Sequence, residues 1–324
     1  MSDVSPDTPK VKEFYDLPIE LIGEIVEKSE LRQQLILRKV CKQLRDVVDE
    51  QKISPYKTID ISCEDTEILC RYNYQDVVYA LRIPRDHNGK VVHGDDYIGV
   101  ACNDLNVALG NPKLVLSHFR FFYRSYEESV PSLEFQTLVS FLESLSHKVS
   151  VRSVDIDAPE IDATIRILSC LNPKILKTIE THRFKMSSSW SLTGSIEEKL
   201  DELAEMEQWK QAEELCSPHP FSLFKPEHYA SFKRINFKEF AYDSGALEKY
   251  KSIFLAPSSK TILISIERRD EFEVDEFVEL PGTPAAQIEP NSVVRHFDIP
   301  NSKGYLEYHF LIGMREMTIT KKSR

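Results

Sequence analysis

Between residues 11 and 52 the apolar positions recur at helical spacing, which predicts three short helices. The first, DLPIELIGEIVEK over 16–28, is apolar on two sides. At about 100° per residue, Leu17, Pro18, Leu21 and Ile25 share one arc, and Ile22, Val26 and Ile19 widen it to roughly 200°. A surface helix usually carries a stripe of about 100° or somewhat more. Asp16 is placed to cap this helix, and Pro18 falls in its first turn, where a missing N–H costs nothing. Ser29 offers a cap for a second helix, LRQQLILRKV. The third, CKQLRDVVDE, sets Leu44, Val47 and Val48 on one side. A unit this small rarely buries enough apolar area alone and leans on a partner or a neighbouring domain.

From residue 53 the period changes. YKTIDIS alternates as a half-buried strand does, ILCRYN and VVYALRI read as further strands, and Asn88-Gly89 is a tight-hairpin signal. DDYIGVACNDLNVALGNP reads as a helix ending near Gly110. Beyond 113, strands and helices alternate. KLVLSHFRFFY, VSVRSVDID, ILKTIETHRF, FKRINFKEF and KTILISIE are predicted strands. SLEFQTLVSFLESL, EIDATIRILSCL, IEEKLDELAEMEQWKQAEEL and GALEKYKSIFLA are predicted helices. This alternation favours parallel strands with helices packed outside them. The repeat length suits an irregular leucine-rich-repeat-like array, and an open α/β sheet fits as well. Near the end, VVRHFDI, YLEYHFLI and EMTITKK alternate as antiparallel strands, with ELPGTPAAQIEPN as a loop before them.

The fold class is therefore α/β: a three-helix unit, an irregular leucine-rich-repeat-like array of parallel strands and helices, then antiparallel β segments near the C-terminus. The expected divisions are a disordered tail over 1–10, the helical unit over 11–52, a connecting β/α segment over 53–112 and an α/β domain over 113–324.

The net charge of −11 argues against a broad nucleic-acid interface, which needs clustered Lys and Arg. No apolar run approaches the about 20 residues that cross a membrane, and the start has no signal-peptide pattern. Six cysteines without paired spacing suit reduced thiols and a cytoplasmic and/or nuclear setting.

Candidate chemistry is sparse. There is no phosphate-binding glycine loop and no C-x-x-C. His87, His93, Asp95 and Asp96 carry metal-ligand atoms, but a solvated turn explains them, and no metal or other cofactor is expected. Cys41, beside Arg38 and Lys42, has the neighbours of a reactive thiol and reads instead as a small packing residue. Trp209 continues a stripe of Ile196, Leu200, Leu203 and Met206, the mark of a core helix. In LSHFRFFYRSYEE, aromatic and basic residues interleave; exposed aromatics there would suit a protein partner.

The helical unit resembles an F-box. The matching residues are Leu17-Pro18, then Leu21, Ile22 and Ile25, then LRKVCKQLRDVVD with Val40-Cys41 and Leu44. Many F-boxes carry an aromatic where Leu44 stands. The remainder resembles the FTH domain that follows F-boxes in a nematode-expanded family, on MEQWKQAEEL, LSHKVSVRSVDID, ILSCLNPKILKTIE and FKRINFKEF. The resemblance implies a non-catalytic substrate-recognition subunit of an SCF-type ubiquitin ligase. Its F-box would dock a Skp1-like adaptor, and through it a cullin, by way of Leu17, Pro18, Leu21, Ile22, Ile25, Leu35, Val40, Cys41 and Leu44. Which of these face the adaptor and which the unit's own core stays open. The FTH-like domain would hold an unidentified protein target, with no nucleic acid or membrane involved. The alternative is an F-box scaffold acting outside a ligase.

Overall fold

The computed structural model describes residues 17–29, 31–50, 56–64, 66–82, 90–124, 131–182, 196–217, 225–238, 246–267, 287–289, 292–311 and 316–324. The chain divides into two compact units, Met1–Tyr56 and Lys57–Arg324.

In the first unit, α1 (Ile19–Lys28), α2 (Leu31–Val40) and α3 (Lys42–Glu50) follow one another closely. Pro18 is the N-cap of α1 rather than a first-turn residue, and it makes no side-chain cap bond. Asp16, the expected cap, lies outside the described residues. Ser29 is the residue expected to cap α2. It sits at the C-cap of α1, and its hydroxyl donates back to the Ile25 carbonyl at 2.6 Å, because the last turn of a helix leaves carbonyls unpaired. Gln34 of α2 donates to the carbonyls of Val26 (2.7 Å) and Ser29 (3.0 Å), tying α2 to the end of α1. The core consists of Ile22, Val26, Leu44, Val47 and Val48, with Leu17, Leu37 and Cys41 packed partly buried against it.

The second unit begins with β1 (Thr58–Cys63), β2 (Glu67–Tyr72), β3 (Gln75–Ala80), β4 (Lys90–His93) and α4 (Tyr97–Leu109). Next come β5 (Val115–Tyr123), α5 (Leu133–Ser144), β6 (Ser150–Asp157), α6 (Ile161–Ser169) and β7 (Thr178–Thr181). Then follow α7 (Ile196–Glu205), α8 (Glu207–Gln211), β8 (Glu214–Ser217), α9 (Pro226–Tyr229), β9 (Arg234–Phe237), α10 (Ala246–Leu255) and β10 (Leu263–Glu267). The last strands are β11 (Gln287–Glu289), β12 (Ser292–Asp298), β13 (Gly304–Leu311) and β14 (Glu316–Ser323). One sheet joins them in the order β11-β12-β13-β14-β10-β9-β8-β7-β6-β5-β1-β2-β3-β4.

From β5 to β10 each strand pairs in parallel with the next in sequence. β1 joins β5 in parallel as well, so the β segment at 58–93 extends the same sheet. Over β5–β10 strand order equals chain order, which is a repeat array rather than a doubly wound sheet. Right-handed crossovers between successive neighbours all fall on one side, and the helices of successive crossovers touch one another.

A six-residue motif accounts for the one-sided packing. The buried positions are Ile59 and Ile61 at β1; Leu116, Phe119 and Phe121 at β5; and Val151, Val154 and Ile156 at β6. Leu176, Ile179 and Thr181 follow at β7, and Phe232, Ile235 and Phe237 at β9. This three-then-two spacing is the L-x-x-L-x-L pattern of leucine-rich-repeat strands. Its cause is in the backbone. The Lys177 carbonyl accepts from both Glu213 (2.8 Å) and Glu214 (3.0 Å). The Glu213 carbonyl accepts from Lys233 (2.8 Å) and Arg234 (3.1 Å), and the Lys57 carbonyl from Ser117 (2.8 Å) and His118 (3.3 Å). Two residues opposing one is a bulge, which adds a residue to the alternation.

Three sequence expectations need correction. β3 and β4 are parallel, so the Asn88-Gly89 segment, itself outside the described residues, does not close a hairpin. The tight turn is at Asn73-Tyr74 between antiparallel β2 and β3, with Asn73 at φ 55°, a left-handed conformation that asparagine tolerates. The long helix predicted over 196–215 is two helices and a strand. The chain extends at Met206 (ψ 139°), turns again through α8, and enters β8 at Glu214. β8 fills the wide gap in the predicted strand spacing. The loop expected before the last strands includes the short strand β11. Among the described residues no helix is long and apolar enough to cross a membrane.

Trp209 on α8 is 1% exposed, and its indole N–H donates to the His228 carbonyl at 2.8 Å. Its ring meets Phe232 edge-on at 5.0 Å. Trp209→Ala is expected to lower the stability of the second unit by about 3–5 kcal/mol in urea unfolding. A loss under about 1 kcal/mol would show that this ring does not anchor the array.

Candidate functional site

The described residues hold two surfaces worth weighing, one in each unit. The first is on α1. Its two apolar arcs have different fates. Ile22 and Val26 are 2% and 0% exposed and fill the helical core. Leu21 and Ile25, one turn apart on the other arc, are 45% and 40% exposed. Pro18 and Ile19 beside them are also exposed. On α2, Ile36 and Val40 form a second exposed pair at a spacing of four, 51% and 53% exposed. Both pairs stand in stripes that helix geometry brings to one face.

The nine residues singled out from the sequence therefore separate. Leu21, Ile25, Pro18 and Val40 are exposed, Ile22 and Leu44 are buried, and Leu17 and Cys41 are half-buried against the core. The side chain of Leu35 lies outside the described residues. Cys41 sits just before α3, and its sulfur accepts from the Leu44 N–H at 3.5 Å, the position of an N-cap. That bond gives the thiol a structural task. Sequence reasoning passed over Ile36; its spacing of four from Val40 was the available signal.

The second surface is the sheet face opposite the helices. Here the side chains form a continuous ion-pair network. Arg71 holds Asp76 through two bonds of 2.6 and 3.0 Å. Arg71 and Arg120 both approach Asp60 at 3.9 Å, and Arg120 reaches Asp155 at 3.3 Å. His182 meets the other Asp155 oxygen at 2.8 Å, and Lys238 meets Glu180 at 2.7 Å. The Phe122 ring stands edge-on to His182 at 5.6 Å. An open depression of about 470 Å³ lies over Asp60, Arg71, Asp76, His118 and Arg120, with Asn73 and Tyr74 at its edge.

Asp155, Glu180 and His182 have ligand atoms within 4.8 Å of one another. Arg120 and Lys238 already neutralise the two carboxylates, so a cation would have to displace both. Of the metal candidates read from the sequence, His87 lies outside the described residues, and His93, Asp95 and Asp96 are exposed. The aromatic run contributes little open surface, because Phe119, Phe121 and Tyr123 are buried under the helices. The expected display of exposed aromatics is corrected accordingly: Phe122 points to the open face and is half-buried.

The F-box domain family matches residues 14–55, and the FTH domain family matches residues 133–280. The chain is thus an F-box protein with an FTH domain after the F-box. It is 24% identical over 221 residues to "F-box A protein 224" of Caenorhabditis elegans, covering 64% of this chain and 54% of that protein. The chain spans about half the length of that curated relative. F-box domains in general bind a Skp1-like adaptor, and proteins of this type are typically adaptors rather than enzymes.

The hydrogen bond that His182 donates to Asp155, together with the charge of that carboxylate, raises the pKa of His182 above its ordinary value of 6.5. The ion pair is complete below that ordinary value and is lost as pH rises through the higher folded value. An NMR titration of His182 is expected to give a pKa above 6.5 that falls in Asp155→Asn. A value at or below 6.5 in the native protein would contradict the pairing.

Proposed function

We propose that this chain is a non-catalytic substrate-recognition subunit of an SCF-type ubiquitin ligase. Its F-box docks a Skp1-like adaptor, which brings the cullin, and its FTH-bearing unit holds a protein target. The reaction belongs to the ligase; this chain supplies position, raising the effective concentration of the target near the transferring enzyme. Such a complex works in the cytoplasm and/or nucleus.

The observation that carries the reading is the bare arc of α1. Leu21 and Ile25 sit beside a core already filled by Ile22 and Val26. Within the docking set, Leu21, Ile25, Pro18 and Val40 are assigned to direct contact. Ile22 and Leu44 hold the helices in register, with Leu17 and Cys41 at the boundary. Leu35 keeps its place in the set by its match to the family motif. Fully burying an aliphatic side chain of this size contributes about 1.5–3 kcal/mol, so a pair supplies a sizeable share of an interface centre.

Leu21→Asp and Ile25→Asp are each expected to weaken binding of purified Skp1-like adaptor by about a hundredfold, roughly 2.7 kcal/mol. The helical circular dichroism should stay intact, since both positions are solvated in the free chain. Ile22→Asp is expected to unfold the helical unit, because it buries an unpaired carboxylate. Wild-type affinity in both surface variants would sink the docking assignment. Adaptor binding without cullin recruitment in a reconstituted mixture would favour a scaffold outside a ligase.

A further inference from the structure

The open sheet face carries its charges in separate rows. In the row formed by Asp60, Arg120, Asp155 and Glu180, Arg120 stands between Asp60 and Asp155, and Glu180 is paired by Lys238. The row at the repeated bulge is different. Lys57, Arg152, Lys177 and Lys233 occupy the second motif position in β1, β6, β7 and β9, and all four are exposed. Glu213 stands among them and bonds both Lys177 (2.7 Å) and Lys233 (3.0 Å), one anion between two cations. Those two bonds pull its pKa down to about 2. Among the described residues, Lys57 and Arg152 have no ion-pair partner.

The loops entering the strands continue the trend. Because the strands are parallel, 111–117, 146–152, 172–177, 211–213, 231–233 and 257–262 all arrive at the same edge of the sheet. They add exposed Lys113, Lys148, Lys174 and Lys260, and Glu213 is the one acidic residue in these segments. In a chain of net charge −11 this edge is basic.

We propose that this basic edge receives an extended acidic segment of the protein target. The proposal rests on the target-binding reading above and gives the target its chemistry. Six inter-strand steps of about 4.8 Å separate the bulge positions of β1 and β10, about 29 Å in all. An extended chain covers that distance in about nine residues. Excess cations along the line favour carboxylate or phosphorylated side chains and steer their approach. A peptide fits better than a nucleic-acid backbone: duplex DNA brings a charge every about 1.7 Å, and the acidic remainder of this chain repels it.

The test is fluorescence anisotropy on the purified full chain. The probes are a labelled ten-residue Glu/Gly peptide, its Lys/Gly counterpart and a ten-nucleotide oligothymidylate. The Glu/Gly peptide should bind best, with an affinity that falls as salt rises. Lys57→Glu/Arg152→Glu should weaken it at least tenfold without breaking an ion pair among the described residues; Lys177→Glu/Lys233→Glu, which also removes both partners of Glu213, should weaken it at least tenfold too. Lys303→Glu, in the β12–β13 turn, should leave binding unchanged. Absence of Glu/Gly binding at low salt, equal loss in Lys303→Glu, or tighter binding of the oligonucleotide would overturn the proposal. Adaptor affinity, measured on the same variants, should remain at wild type. Its loss in Leu21→Asp reports on the ligase reading separately.

Discussion

The helical unit has room in its core for only one side of its first helix. Ile22 and Val26 meet Leu44, Val47 and Val48, and that contact fixes how α1 lies on α3. Leu21 and Ile25, rotated away from it, stay in water. Apolar exposure on a unit this small is costly to keep unless something else covers it. The functional account depends on this division.

The second unit meets a related constraint in a sheet. Successive parallel neighbours keep the crossovers on one side, so the helices cover one face and the other stays open. Side chains on the covered face are aliphatic or aromatic: Phe119, Val154, Ile179, Ile235 and Ile264. Those on the open face are ionic and largely satisfy one another, as Arg120 does with Asp155. Paired charges resist solvent without an apolar cover, and the cations they leave over give the surface its sign. One unit thus presents a bare apolar arc and the other a polar, partly basic face. They suit two different partners.

Much of this was legible in the sequence. The second helix matched its predicted bounds, LRQQLILRKV, and nearly all the strands lay where alternation placed them. The double apolar arc of α1 was visible in its period, but which arc was internal depended on α3, whose packing direction no local pattern encodes. The repeat was harder to see, because the bulge breaks simple alternation and Thr181 or Ser217 replaces an aliphatic residue at some motif positions. β8 was hidden for a different reason. Its four residues follow a helical stripe in which Trp209 keeps the period, and the break at Met206 comes from a backbone dihedral rather than from proline or glycine. The ion-pair network joins residues as far apart as Asp60 and Asp155, so only the register of the strands reveals it.

The central claim concerns two side chains, and methyl NMR with selectively labelled Leu and Ile addresses them directly. On adding the Skp1-like adaptor, the methyls of Leu21 and Ile25 are expected to show intermolecular NOEs to it, while those of Ile22 keep their contacts with the helical core. If the adaptor binds and its NOEs fall elsewhere, or if it leaves the Leu21 and Ile25 signals unmoved, the exposed arc of α1 is not the docking face.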